Sequence, residues 1–190
     1  MLRAGGIVAY PTETFYGLGA LVTRPDALRR LTEAKLRPEG KALPLVAGDM
    51  AQVEAVASLA DPLARRLAHR FWPGPLTLVI PASPSLDASV TGGGATVGVR
   101  IPGSETARAL ALAAGGALVS TSANVSGEPP PVTPDALSPE LLGRIDAVVE
   151  GGATPGLLPS TVVAVEGGRA LLLREGAVPW QAVEAVARGA

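Results

Sequence analysis

The sequence predicts an α/β fold, a mixed and twisted β-sheet with helices packed on it. Three observations carry this. Apolar runs of strand length alternate with amphipathic helical stretches along all 190 residues. Near the end, STVVAV and ALLLRE face each other across EGGR, a hairpin signal that makes the sheet mixed rather than purely parallel. No low-complexity linker or internal repeat interrupts the chain, so residues 1–190 are expected to form one domain.

In order, GGIVAYP (5–11) reads as a buried strand closed by Pro11. TRPDALRRLTEAKL (23–36) reads as a helix with Thr23 as N-cap, Pro25 in the first turn, and an apolar face of Leu28, Leu31 and Ala34. Pro38 ends it, because it pushes Arg37 out of the helical region. ALPLVA is a short strand. MAQVEAVASL and DPLARRLAHRFW are helices, the second with Asp61 as cap, Pro62 at the first position, and Leu63, Leu67 and Phe71 at spacing four. LTLVIPA (76–82) and TVGVRIP (96–102) are strands around a Gly-rich loop. SETARALALAAGG is a helix capped by Ser104, and ALVSTSANVSG is a strand running into a polar loop. PDALSPELLGRI reads as helical, DAVVEGG as a strand, and PWQAVEAVARG as a closing helix. GEPPPVTP (127–134) is stiff and proline-rich, and reads as a loop over a site.

Composition excludes several chemistries. There is no Cys, which removes disulfide and zinc-thiolate sites and suits a reducing compartment. The only His, His69, lies in a helix beside Arg70, so neither a triad nor a histidine metal cage is expected. Walker and dinucleotide-binding fingerprints are absent. Sixteen Lys plus Arg against 17 Asp plus Glu, with 3% aromatics, argues against an indiscriminate or stacking nucleic-acid binder. The apolar run before Pro11 is too short for a signal sequence or a membrane span, so a cytoplasmic protein without membrane association is expected.

The remaining candidates are cations and hydroxyls at the ends of elements. The only two lysines, Lys35 and Lys41, flank Arg37. Thr12, Glu13 and Thr14 follow the first strand, Arg100 ends TVGVR, and Ser120, Thr121, Ser122, Asn124 and Ser126 crowd STSANVS. Ser160 and Thr161 open one late strand and Arg174 closes another. Each has an ordinary reading as a cap, a solvated helix end or a salt bridge. Together, without an Asp/Glu cluster, they suit an anionic substrate that is bound and oriented. Lys35, Arg37 and Arg174 would clamp a phosphate chain, at ~1.5–3 kcal/mol per charge-assisted hydrogen bond.

The order GGIVAYPTETFYGLG, AKLRP, WPGPLT, TVGVRIP, STSANVSGEPPP and STVVAV…LLLREG resembles the YrdC-like family of L-threonylcarbamoyl-AMP synthases, from Gly5 to about Gly176. The length resembles the short bacterial form, which implies a single catalytic domain. The resemblance implies a three-layer α/β architecture with a deep concave face. It implies conversion of L-threonine, bicarbonate and ATP into threonylcarbamoyl-AMP and pyrophosphate, for a modified adenosine at tRNA position 37. Mg²⁺ held mainly by the ATP phosphates is the implied cofactor. A threonylcarbamoyl transferase complex is the implied downstream partner, and tRNA or RNA on the concave face is an open candidate.

Carried over by motif, Lys35, Arg37, Ser122 and Asn124 would line the reaction centre. Thr14, Arg100, Ser122 and Ser160 would touch threonine. Arg37, Lys41, Thr96, Asn124, Val132 and Arg174 would touch ATP. Some positions depart from the family pattern: Leu36 where Gly is frequent, Lys41 for Asn, Val46 for a His of some long forms, Pro159 for an acidic residue, and Ala164 for Asp. Competing readings are a non-catalytic RNA-binding maturation factor on the same fold, a carbamoyl-transfer relative from hydrogenase maturation, and a paralogue with another substrate. The hydrogenase relative would need zinc-binding and acylphosphatase modules that this composition and length do not supply.

Overall fold

In the computed structural model, which describes residues 1–36 and 40–189, the apolar runs form nine strands. These are β1 (Val8–Pro11), β2 (Tyr16–Leu21), β3 (Leu45–Val46), β4 (Leu76–Pro81), β5 (Thr96–Arg100), β6 (Leu118–Ser122), β7 (Ala147–Val148), β8 (Thr161–Glu166) and β9 (Arg169–Arg174). The helices are α1 (Pro25–Ala34), α2 (Met50–Val56), α3 (Pro62–Phe71), α4 (Ala88–Thr91), α5 (Glu105–Ala114), α6 (Pro139–Leu142) and α7 (Trp180–Ala187). The strands make one mixed sheet in the order β7-β1-β2-β6-β3-β5-β4-β8-β9. The β1–β7, β3–β5 and β4–β8 pairs are parallel, and the others antiparallel. Sequence neighbours such as β2 and β3 are separated by β6, so most long-range geometry comes from crossovers.

Alternation along the strands builds three layers. Leu18, Ala20, Leu45, Leu76, Leu78, Ile80, Val97, Val99, Val119, Val163 and Val165 pack into the large core with residues of α1, α2, α3 and α7. The opposite parity, Val8, Tyr10, Leu21, Val46 and Leu118, meets Ala107, Ala111 and Ala114 of α5 in a smaller core. Alanines on this α5 face let the helix lie close to the sheet. Burying a leucine such as Leu63 or Leu67 contributes roughly 1.5–3 kcal/mol. On this second face no described helix covers the floor formed by Thr77, Val79, Gly98 and Val162.

Most predicted caps are present. Asp61 accepts from the Leu63 N–H and Ser104 from the Ala107 N–H, each worth about 1 kcal/mol. Gly167 and Gly168 both have positive φ (57° and 73°) and turn the β8–β9 hairpin. His69 is exposed on α3. Among the described residues no helix is long and apolar enough to cross a membrane.

Three local expectations are corrected and one strand is added. The first strand starts at Val8, after a 3₁₀ turn (Leu2–Ala4) closed by left-handed Gly5. Arg24 rather than Thr23 caps α1, without a side-chain hydrogen bond, because Pro25 fixes the first helical position one residue later than a Thr23 cap needs. The stretch 134–145 is not one helix. Ser138 and Pro139 start a new one after a 3₁₀ turn (Pro134–Ala136), since Pro139 has no N–H to continue the first. Strand β2, YGLGAL, is an element to which the sequence reading assigned no structure. Gly17 and Gly19 are there because the Tyr10 ring lies over them: a Cβ on Gly19 would sit 2.6 Å from that ring.

Candidate active site

The open part of the second face is a cavity of about 480 Å³. Register decides what reaches it. Gly17 is opposite Ser122 and Gly19 opposite Ser120. Val46 is opposite Arg100, Val79 opposite Gly98, and Thr77 opposite Val162. All lie on the α5 side of the sheet, and Gly98 keeps the floor low. Arg100 and Thr96, at the two ends of β5, lie on this same side ~13 Å apart along the strand. Pro130 joins the lining, and the Tyr16 N–H donates to the Pro131 carbonyl at 2.9 Å, so the proline-rich loop does border the site.

Of the sequence-derived candidates, Thr12, Thr14, Arg100, Ser120, Thr121, Ser122, Ser160 and Arg174 line this cavity. Arg174 arrives through an irregularity in β9. Val163 pairs with Leu172 and Val162 with Arg174, which leaves Leu173 as the extra residue of a bulge. Strict alternation from Leu172 would send residue 174 to the other face, so the bulge aims Arg174 into the site. Its guanidinium donates to the Ser160 carbonyl (2.8 and 3.2 Å) and to Ser160 Oγ (3.2 Å). Thr77 Oγ1 lies 3.0 Å from Ser160 Oγ. The residue is exposed at the mouth, yet partial desolvation and then the Arg100 cation hold its pKa below the usual arginine value.

Arg100 is deeper, only 8% exposed. Among the described residues its ion pair is to Glu13, Nη1 to Oε1 at 3.4 Å. Among the described residues its guanidinium makes no hydrogen bond to the protein, so a buried fork of donors faces the cavity uncommitted.

The hydroxyls have a definite polarity. Thr12 Oγ1 donates to the Phe15 carbonyl at 2.7 Å, so in its 3.0 Å contact with Thr14 Oγ1 the proton comes from Thr14. Thr14 is thereby left to accept from the cavity. Tyr10 donates to Ser120 Oγ at 2.7 Å, which leaves the Ser120 proton to be donated into the cavity. Burial pushes the Tyr10 phenol up to about 12, so it stays protonated in this role.

Lys35 and Asn124 meet, but off the cavity lining. Lys35 is the C-cap of α1 and is buried. Its ammonium donates to the Ser122 carbonyl, to the Asn124 carbonyl at 2.5 Å and to Asn124 Oδ1 at 3.3 Å. The Asn124 amide donates to the Val125 and Glu128 carbonyls at 3.0 and 2.6 Å. Lysine and asparagine therefore hold the loop after β6 as one unit. Between Lys35 and the described edge, Leu36 adopts φ 49°, a left-handed conformation that suits glycine.

Arg37 lies outside the described residues. Lys41 and Thr96 are exposed and do not line the cavity. They share a rim: the Leu43 N–H donates to the Val90 carbonyl, and Gly92, in the loop leading to Thr96, is pressed against Gly40 and Ala42. Val132 packs on Gly156 and accepts from Thr154 through its carbonyl, also off the lining. Sequence reasoning grouped Glu13 and Ser120 with the candidates without giving either a substrate contact, and it did not name Thr77. Thr77 had a signal, as the one polar residue inside LTLVIP. Glu13 had none beyond its place between two threonines.

Among the described residues no cluster of three or more His, Asp or Glu side chains could hold a metal ion. The site offers cations, hydroxyls and backbone groups. It can bind and orient a carboxylate and a phosphate chain, and among the described residues no acid–base pair lines the cavity.

A family model covering Sua5, YciO and YrdC proteins, described as telomere recombination, matches residues 1–176. A threonylcarbamoyl-AMP synthase of Pyrococcus abyssi is 39% identical over 185 residues, 97% of this chain and 54% of the relative. One of Thiobacillus denitrificans is 41% identical over 170 residues, 90% of each chain. The solved structure of P. abyssi Sua5 complexed with L-threonine superposes with a TM-score of 0.92 at 39% identity, covering 97% of this chain and 54% of that one. This chain thus spans about half the length of the P. abyssi protein.

Proposed function

The chain belongs to the Sua5/YciO/YrdC family, and on that premise we propose that it is a threonylcarbamoyl-AMP synthase. It joins L-threonine, bicarbonate and ATP and releases pyrophosphate, supplying an activated threonylcarbamoyl group for tRNA modification. The observation that carries the reading is Arg100. A buried guanidinium without a hydrogen bond to the described protein opens onto a hydroxyl-lined cavity, and a carboxylate matches its paired donors.

In this reading the threonine carboxylate sits on Arg100, with Thr14 accepting from the substrate's donors and Ser122 and Ser160 beside it. The amine adds to carbon dioxide, or to bicarbonate with loss of water, and gives up a proton to form a carbamate. A carbamate oxygen then attacks the α-phosphorus of ATP, and the bond to pyrophosphate breaks. Arg174 faces the phosphates; Arg37, which the family motif assigns to ATP, lies outside the described residues, and the motif's other ATP positions, Lys41, Thr96, Asn124 and Val132, lie off the cavity lining. Holding two anions together and offsetting charge that builds on phosphoryl oxygens is the protein's task. Lys35 contributes by fixing the Ser122–Asn124 loop. Mg²⁺ would travel on the ATP phosphates, since among the described residues no carboxylate cluster would hold it. Threonine over serine is one methyl group, so discrimination of ~1–3 kcal/mol is expected.

The test is pyrophosphate release from ATP with threonine, bicarbonate and ATP omitted in turn. Release that needs all three supports the synthase. Release that ignores threonine, or tight RNA binding with no release, rejects it.

A further inference from the structure

The ion pair between Glu13 and Arg100 is the most enclosed in the described protein, with side-chain exposures of 17% and 10%. Glu13 does not line the cavity, and its Oε1 is buried without a hydrogen-bond partner. The rest of the side chain is braced from behind. Oε2 accepts from the Ser104 N–H at the start of α5 at 3.4 Å, and Ser104 Oγ donates to the Pro11 carbonyl at 3.0 Å. Gly103 runs alongside it: a Cβ there would meet Glu13 Cγ at 3.4 Å and its Cβ at 3.5 Å, ordinary contact distances. Apart from Arg100, the carboxylate is held by one long hydrogen bond, from the residue that caps α5.

Arg100 needs such a partner. It shares the cavity with Arg174, close enough for its charge to depress the Arg174 pKa. Arg174 has no carboxylate partner among the described residues, so Glu13 is the described charge that offsets their repulsion. With Glu13 holding Nη1 at an ion-pair distance too long for a good hydrogen bond, the remaining N–H groups of Arg100 stay aimed at the cavity.

We propose that Glu13 is a positioning residue that aims Arg100 at the carboxylate of the amino-acid substrate, and so sets selectivity for a free carboxylate. This rests on the functional reading above. Without the Glu13 charge, Arg100 swings away from Arg174 and the fork leaves its productive angle.

The experiment measures Kd for L-threonine and for L-threoninamide by calorimetry, in wild type, Glu13→Gln and Glu13→Asp. Wild type should favour threonine, and Glu13→Gln should shrink the threonine-to-threoninamide preference about tenfold, a change that general loosening of the fold does not produce. Glu13→Asp, which keeps the charge on a shorter stem, should restore part of it. If Glu13→Gln does not fold, Glu13→Asp alone must still show a narrowed preference. An unchanged or widened preference in whichever variants fold overturns the proposal and leaves the synthase reading standing. A wild type that binds neither ligand, or both equally, overturns both.

Discussion

The Lys35 ammonium lies 2.5 Å from the Asn124 carbonyl and 3.3 Å from its Oδ1, and also donates to the Ser122 carbonyl. Among the described residues three acceptors meet one buried ammonium. A tetrahedral ammonium serves them, whereas a planar guanidinium spreads its donors over a wider fork and serves one planar partner. This gives a physical reason for lysine in a chain that otherwise prefers arginine.

Lys35→Arg should therefore keep the fold and lose about 100-fold or more in pyrophosphate release, since a loop displaced by ~1 Å is enough for that. Steady-state kinetics beside a melting curve would decide it. Turnover within twofold of wild type would show that the three-acceptor geometry is not what the site needs.

Leu36 follows with φ 49° and is 60% exposed, so its side chain gains little in return for a left-handed backbone. A non-glycine residue there costs about 1–2 kcal/mol, and glycine adds back some unfolded-state entropy. Leu36→Gly should stabilise the protein by roughly 0.5–1 kcal/mol in urea unfolding. Destabilisation would mean that Leu36 makes a contact outweighing its strain.

Gly176 lets β9 return against the site. A Cβ would fall 2.2 Å from the Pro159 carbonyl oxygen and 2.7 Å from the Ser160 carbonyl carbon. Gly176→Ala should cost about 2–3 kcal/mol and weaken activity, because Ser160, which Arg174 holds, must move. Full stability and activity in the alanine variant would contradict this packing.

Asp146 accepts from the Ile7 N–H at 2.7 Å and from Arg30, tying β7 to the start of β1. The Ile7 hydrogen bond, more than the Arg30 charge, holds its pKa below the usual 3.8. A depressed carboxylate contributes stability that is fully present above its unfolded value and is lost as pH falls through its folded value. Wild type should exceed Asp146→Asn in denaturant stability at neutral pH, and the gap should close as the medium is acidified below 3.8. A gap that stays constant through the acid range would exclude this linkage.

Much of the fold was legible locally. Asp61 with Pro62, Ser104, and the Gly167–Gly168 turn each set a boundary through chemistry within a few residues, which is the range over which caps and turns act. The sequence candidates also reached part of the cavity: Thr12, Thr14, Arg100, Ser120, Thr121, Ser122, Ser160 and Arg174. The β2 strand escaped because its glycines make sense only beneath the Tyr10 ring.

What tertiary structure alone decided is direction and company. Arg174 faces the cavity because a bulge at Leu173 reverses its parity, and Glu13 matters because β1 and β5, strands not adjacent in the sheet, bring it to Arg100. Lys35 turned inward to carbonyls of a loop almost ninety residues away. A sequence fixes which groups exist and how each short segment bends. Which of them share a hollow depends on strand order and register, and these are set by non-local pairing that no short segment contains.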